Sequence, residues 1–241
     1  MRYAIFSDIH SNLEAFEGVL SAYEKEGIDK YLCVGDIVGY GANPKECIQI
    51  IRDKKITTVA GNHDWASSGR FDVTYFNPRA REAVHWTRKQ LNTSEIDYIN
   101  NLDLIYKEEG FCLVHGTLIK PERFEYLFEL TDTKAAFEAM QSDLCFIGHT
   151  HSPVIFSKDG EEITYGKENN INIEPNKQYI INVGSVGQPR DGDSRCCYCI
   201  YDSDNKLFQI KRIKYDIESA QKKILDAGLP STFANRLIVG L

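Results

Sequence analysis

Five of the six histidines in this 241-residue chain stand directly behind apolar runs, beside carboxylates, an amide or a second histidine. The blocks are FSDIH with Asp8 and His10, VGDIVG with Asp36, AGNHD with Asn62, His63 and Asp64, LVHG with His115, and IGHTH with His149 and His151. Only His85 lies elsewhere, in a segment of helical spacing, where a helix-face role is expected. Carboxylate, imidazole and amide oxygen without thiolate make a donor set for first-row ions such as Mn²⁺, Fe²⁺/³⁺, Co²⁺ or Zn²⁺. Asp8 and His10 are two residues apart, as are His149 and His151, so at a strand end each pair can point the same way. Asn62 and His63 are adjacent and should diverge, one toward a metal and the other toward a substrate. The ligand candidates Asp8, His10, Asp36, Asn62, His115, His149 and His151 are too many for one catalytic ion with an open position. They suit two ions sharing one carboxylate.

Such residues need a scaffold that lines up strand ends. RYAIFSD (2–8) is a continuous apolar run ending in polar residues, as a strand buried on both faces would be. NLEAFEGVLSAYEKEG (12–27) follows with Leu13, Phe16, Leu20 and Tyr23 at helical spacing and Gly27 as a stop. KYLCVGD (30–36) reads as a second strand, NPKECIQIIRDKK (43–55) as a helix opened by Asn43 and Pro44, and ITTVAGNHD (56–64) as a third strand. The order β-α-β-α-β implies parallel strands with helices packed on them, and in open α/β sheets sites form at the carboxyl ends of strands. Residues 65–103 change character: 77–91 and 93–102 have helical spacing, giving a small helical insertion beside the strand ends. A hairpin over 105–116 turning near Glu109 and Gly110, a helix over 132–142 and a strand running into His149 and His151 come next. After residue 150 the pattern is mostly β, with runs in 153–165, 178–185, 196–202 and 206–215, then a closing helix over 216–230. No repeat, low-complexity stretch or linker interrupts the chain, so a single domain over 1–241 is expected.

Composition narrows the partners. With 28 basic against 35 acidic residues the net charge is −7, which argues against a polymeric nucleic acid but not against a small phosphorylated substrate at a local positive site. No apolar run approaches the ~18 residues of a membrane helix, and the first apolar run is too short for a signal peptide. Of seven cysteines, Cys33, Cys112 and Cys145 sit in strand-like runs and Cys47 in a helical one, as small buried hydrophobes. RCCYCIY lacks paired C-x-x-C spacing, and as a strand it would turn Cys197 and Cys199 one way and Cys196 the other. A cytoplasmic protein with reduced thiols is expected.

The blocks D-x-H, G-D-x-x-G, G-N-H-D, a lone H and G-H-x-H, in this order over residues 8–151, resemble the calcineurin-like metallophosphoesterase superfamily. GDIVGYGANP (35–44) and INVGSVGQPRDGD (181–193) are similar to a small bacterial and archaeal subgroup, whose members act on phosphodiesters and dinucleoside polyphosphates. The resemblance implies an α/β fold of two packed mixed β-sheets flanked by helices, in four α-β-β-α layers. It implies one ion on Asp8, His10, Asp36 and His151 and another on Asp36, Asn62, His115 and His149, with Asp36 bridging. Manganese is the leading expectation, with Fe, Zn, Co, Ni or Mg as alternatives. His63 would contact phosphate and protonate the leaving group, and Asp64 would orient His63. Two divalent ions set against Asp8, Asp36 and a bridging hydroxide leave the site at about +1, enough to draw a phosphate through an acidic surface. Attack by that hydroxide on a phosphodiester or nucleotide polyphosphate is the expected reaction. Arg190, in a Gly-Pro-Asp-rich loop, is a candidate second phosphate contact. Ser185, between Gly184 and Gly187, allows close substrate approach, and Tyr40 is a candidate stacking partner for a base or aryl group. Phe124, Tyr126 and Phe128 are further candidates for a pocket lining. The rival readings are a phosphoprotein phosphatase and a non-catalytic scaffold like the retromer small subunit; scaffolds of that kind tend to lose ligands, and here none is missing.

Overall fold

A computed structural model describes residues 1–241. Two six-stranded mixed sheets pack face to face between helices. In the first, β1 (Arg2–Phe6), β2 (Lys30–Cys33) and β3 (Thr57–Thr58) run parallel, joined by α1 (Leu13–Tyr23) and α2 (Pro44–Asp53). The alternation in β1 shows why the run is apolar throughout: Ala4 and Phe6 face α1 and α2, while Tyr3 and Ile5 face the other sheet. Asn12 caps α1 by accepting from the Ala15 N–H, and Phe16, Val19, Leu20 and Tyr23 form its buried stripe.

The chain then leaves the sheet for α3 (Asn62–Ser68), a 3₁₀ turn at Val73–Tyr75, α4 (Pro78–Gln90) and α5 (Thr93–Asn100). It enters the second sheet through β4 (Ile105–Glu108), β5 (Phe111–Val114), α6 (Leu130–Glu138) and β6 (Leu144–Ile147). There follow β7 (Val154–Asp159), β8 (Glu162–Gly166), β9 (Asn170–Asn172), β10 (Gln178–Asn182), β11 (Cys196–Asp202) and β12 (Leu207–Ile213). The strand orders are β3-β2-β1-β11-β12-β9 and β4-β5-β6-β10-β7-β8, with β5, β6 and β10 parallel. Phe111, Leu113, Leu144, Phe146 and Ile181 meet Ile5, Leu32 and Val34 between the sheets. On the outer face of the second sheet, Cys112, Val114, Cys145, Ile147 and Ile180 meet Ala136, Phe137 and Met140 beside α6. This is the expected α-β-β-α layering. The cysteines are all free and buried, with Cys196 on the helix side of its sheet and Cys197 and Cys199 between the sheets.

Three elements depart from expectation. The third strand is two residues long, not 56–64: Val59 makes one bridge to Asp103, and Asn62 already begins α3. The closing helix ends at Asp226, not 230. A second, α8 (Ser231–Val239), follows α7 (Ile217–Asp226), with Phe233, Ala234 and Leu237 packed against Ala80, Ala83 and Val84 of α4. The edge strand β9 was not expected; it is short, polar and paired only through β12. No helix is long and apolar enough to cross a membrane.

Candidate metal centre

The ends of β1, β2, β5 and β6 point to one place at the join of the two sheets, and α3 starts there. Four loops deliver the side chains, and they do so under strain. Asp8, His10, Asp36, His149 and His151 all have positive φ, between 49° and 70°, as do Ser11 and Tyr40. For non-glycine residues this conformation costs about 1–2 kcal/mol each, and such strain concentrates at functional sites. Strand alternation therefore does not aim the D-x-H and H-x-H pairs; left-handed turns do. Thr150, between the two histidines, is turned aside toward Asn182, whose amide donates to its hydroxyl at 2.9 Å.

The ring orientations are fixed from behind. Nδ1 of His10 lies 3.1 Å from the Val38 carbonyl, that of His115 2.7 Å from the Val34 carbonyl, and that of His151 2.6 Å from the Gln188 carbonyl. A carbonyl accepts only, so each Nδ1 carries the hydrogen and each Nε2 turns a lone pair inward. His10 Nε2 and His151 Nε2 then face one another at 3.0 Å. Asp8 Oδ1 lies 3.2 Å from His151 Nε2 and 3.6 Å from His10 Nε2; Asp36 Oδ2 lies 3.3 Å from His115 Nε2 and 3.5 Å from His10 Nε2. Ligand-capable atoms lie within 4.8 Å of one another in three overlapping groups: Asp8, His10 and His151; His10, Asp36 and His63; and Asp36, His115 and His149.

Asp8 Oδ1, Asp36 Oδ2, Asn62 Oδ1, His115 Nε2 and His149 Nε2 are buried without hydrogen-bond partners. Converging acceptors with no donor are costly in a protein interior, and a cation is the species that satisfies them together. The residues present thus fit divalent metal binding, with Asp8, His10, His151, Asp36, His115 and His149 supplying grouped donors and Asn62 Oδ1 a further unpartnered oxygen. Electrostatics agree. Burial would raise Asp8, but His151, His10 and His115 hold it well below the usual carboxylate range; Asp36 is likewise lowered against its burial, chiefly by His115. Burial pulls His115 down, yet Asp36 and Asp8 push it up to about 9, so without a cation its Nε2 takes up a proton in the place a metal would fill. His149 and His151 are lowered to about 3 and about 4, mainly by burial.

His63 stands beside this set, packed by the rings of Tyr40 at 4.4 Å, Phe76 at 4.8 Å and His10 at 4.8 Å. Its backbone N–H donates to Asp36 Oδ1 at 2.9 Å, its Nδ1 has no partner, and burial keeps its pKa well below 6.5. It shares with Asn62, His149, Tyr40, Phe124 and Tyr126 the lining of an open cavity of about 350 Å³. Phe128 lies outside that lining but stacks on Tyr126, which in turn stacks on His149 at 3.8 Å.

Two expected roles change. Asp64 makes no hydrogen bond to the His63 ring: its oxygens accept the N–H groups of Val38 at 3.2 Å and Gly61 at 3.1 Å, capping α3 and tying it to the Asp36 loop. Burial, with the Asp36 charge, raises it to about 7. Ser185 is fully buried, donating to the Asp8 carbonyl at 2.9 Å and accepting the Gln188 N–H at 2.9 Å, so it braces the Asp8 loop and does not face substrate. Tyr40 is nine-tenths buried among His10, His63 and Phe233. Gln188 and Asn182, which nothing in the sequence singled out, hold His151 and the Gly148–Thr150 turn.

Gly61 shows how tightly the site is built. A Cβ there would lie 2.0 Å from Asp36 Oδ1 and 2.3 Å from its backbone nitrogen. Gly61→Ala is expected to displace Asp36 and to destabilise the fold by about 1–3 kcal/mol. Urea denaturation, with metal content measured alongside, would detect both; an unshifted midpoint would show that the loop gives way.

Comparison with known proteins places these features in context. The calcineurin-like phosphoesterase superfamily domain matches residues 1–206. An uncharacterised protein of Methanocaldococcus jannaschii is 40% identical over 242 residues, spanning 98% of this chain and 97% of its own. A metallophosphoesterase from Sphaerobacter thermophilus superposes with a TM-score of 0.88 at 37% identity, over 100% of this chain and 99% of that one. A hypothetical protein from Pyrococcus horikoshii OT3 shares the fold at a TM-score of 0.80 and 17% identity, over 100% and 98% of the two chains.

Proposed function

The chain belongs to the calcineurin-like phosphoesterase superfamily, and from that premise we propose that it is a two-metal phosphoesterase acting on a phosphodiester or a nucleotide polyphosphate. The observation that supports this reading is the convergence of buried, donor-less acceptors in overlapping ligand-capable groups, two of which share Asp36. Bound there, divalent ions would supply Lewis acidity and lower the pKa of water from 15.7 to roughly 7.

The chain's own residues do the rest. The carbonyls of Val34, Val38 and Gln188 keep the imidazoles in the one tautomer that can ligate. Asp36 joins the two groups and, through the His63 N–H, fixes where His63 stands. His63 lines the cavity beside the ligand set, which supports a role as proton donor to the departing oxygen; burial keeps its pKa well below 6.5, so the role requires the substrate's negative charge to raise it. The aromatic wall of the cavity suits a planar leaving group, and the thiolate-free set of four imidazoles, two carboxylates and one amide oxygen suits first-row ions, of which manganese is our leading candidate.

The test is hydrolysis of bis-p-nitrophenyl phosphate with Mn²⁺. Activity is expected with the metal and should fall to background with excess chelator; turnover that survives chelation would overturn the reading. Diadenosine tetraphosphate should be cut in preference to a phosphopeptide, and the reverse order would make the protein a phosphoprotein phosphatase.

A further inference from the structure

The loop after β10 and the last helix bring two arginines onto one acceptor. Gln188 is 2% exposed, and its side-chain oxygen accepts from Arg190 Nη2 at 2.8 Å and from Arg236 Nη1 at 3.1 Å. Its backbone carbonyl holds His151, so a single residue ties both guanidinium groups to the metal centre. Arg190 is positioned further by its own N–H on the His151 carbonyl at 3.1 Å. Its guanidinium lies 5.7 Å from the Tyr40 ring, which packs on His63 and His10.

Neither cation is neutralised. The arginines that form ion pairs are Arg2, Arg123, Arg195 and Arg212; Arg190 and Arg236 have no carboxylate in reach, in a chain where acids outnumber bases. Arg190 Nε is buried with no hydrogen-bond partner. Burial lowers the pKa of Arg236, and Arg190 lowers it further. Two like charges share one neutral oxygen while most of their five N–H donors each stay unused, an arrangement completed by an anion that accepts from both forks.

We propose that Arg190 and Arg236 form a second anion subsite beside the metal centre, which takes the phosphate next to the one being attacked. The proposal rests on the phosphoesterase reading and narrows it, from phosphodiesters at large to substrates with two or more consecutive phosphates. A simple diester carries one anionic phosphorus and leaves the pair unmatched. Arg236 sits on α8, beyond residue 206 where the superfamily match ends, whereas Arg190 and Gln188 lie within it, so the subsite joins the shared centre to the C-terminal helices.

Calorimetric titration of the Mn²⁺-loaded protein with AMP and ADP tests this, because the two ligands differ by one phosphate. Wild type should bind ADP at least about 10-fold more tightly than AMP, the order expected of a charge-assisted hydrogen-bonded contact. That preference should shrink as salt rises. Arg236→Gln should cut the ratio to below about threefold, chiefly through weaker ADP binding, and Arg236→Lys, which keeps the charge but not the fork, should fall between. Equal affinity of wild type for the two ligands, or no binding of either, overturns the proposal whether or not the variants fold. So does an ADP preference that survives in Arg236→Gln. Hydrolysis is not the readout, so the two readings fail separately: a preference for ADP without metal-dependent turnover of either the nitrophenyl diester or diadenosine tetraphosphate removes only the enzyme, and turnover without the preference removes only the subsite.

Discussion

In the proposed two-metal centre, Asp36→Asn should lose both ions together. Asp36 Oδ2 lies 3.5 Å from His10 Nε2 and 3.3 Å from His115 Nε2, so one oxygen reaches both groups of histidines. Its other oxygen is already committed to the His63 N–H. An asparagine can give its oxygen to that N–H or to the ions, and whichever it chooses, an NH₂ group faces the other side. It also removes the one charge shared by the two positions. Losing a partner outside a ligand set costs about 10–100-fold in metal affinity, and losing the shared ligand should exceed that at both positions. The effect is visible in stability. An ion at ~100 times its dissociation constant adds about 2.7 kcal/mol per site, about 5–10 °C in Tm for a domain of this size. Manganese should raise the Tm of wild type by at least that much and leave Asp36→Asn nearly unmoved, with two ions per chain found in one and fewer than one in the other. Two ions held as tightly by the variant would remove the bridging role.

Much of this centre is legible in the sequence because the ligands must follow strands, and buried strands are easy to see. The apolar runs of β1, β2, β5 and β6 and the residues behind them come directly from pattern. What pattern misses is how the turns are made. Spacing by two suggested that Asp8 and His10 converge as strand neighbours, whereas both adopt positive φ, a property of the packed loop that no periodicity encodes. AGNHD looked like a strand end because Thr57 to Ala60 is apolar or β-branched. Yet Gly61 and Asp64 form a helix cap there, a signal present in the chain but outweighed by the run before it. α8 was missed for a related reason: Gly228 and Pro230 read as an ending, although Ser231 followed by Phe233, Ala234 and Leu237 has helical spacing. The tertiary partners of Asp64 and Ser185 lie 26 and 177 residues away, which is why a role beside His63 and a role on substrate were assigned to side chains that hold backbone.

The correction to Asp64 sharpens what is expected of His63. No carboxylate hydrogen-bonds its ring: Asp36 comes within 4.8 Å of a ring nitrogen but is bonded to the His63 backbone N–H, and Tyr40, Phe76 and His10 pack the ring. His63→Ala keeps that N–H and should keep the metals, while removing the ring from the edge of the cavity. If the ring protonates the departing oxygen, the loss must depend on how much the leaving group needs a proton. For an alkoxide or ribose hydroxyl kcat should fall by about 10²–10⁴-fold. For p-nitrophenolate, which leaves without protonation, the fall should be several times to roughly tenfold, the remainder reflecting lost contact with phosphate. Plotting log kcat against leaving-group pKa for wild type and variant separates the roles: the variant's line should be steeper, with metal content unchanged. Parallel lines would mean that His63 binds phosphate or supports the cavity wall and that the proton comes from elsewhere. Because Asp36 is untouched in His63→Ala and no carboxylate hydrogen-bonds the ring, a change in slope reports proton transfer and not the loss of a carboxylate–imidazole hydrogen bond.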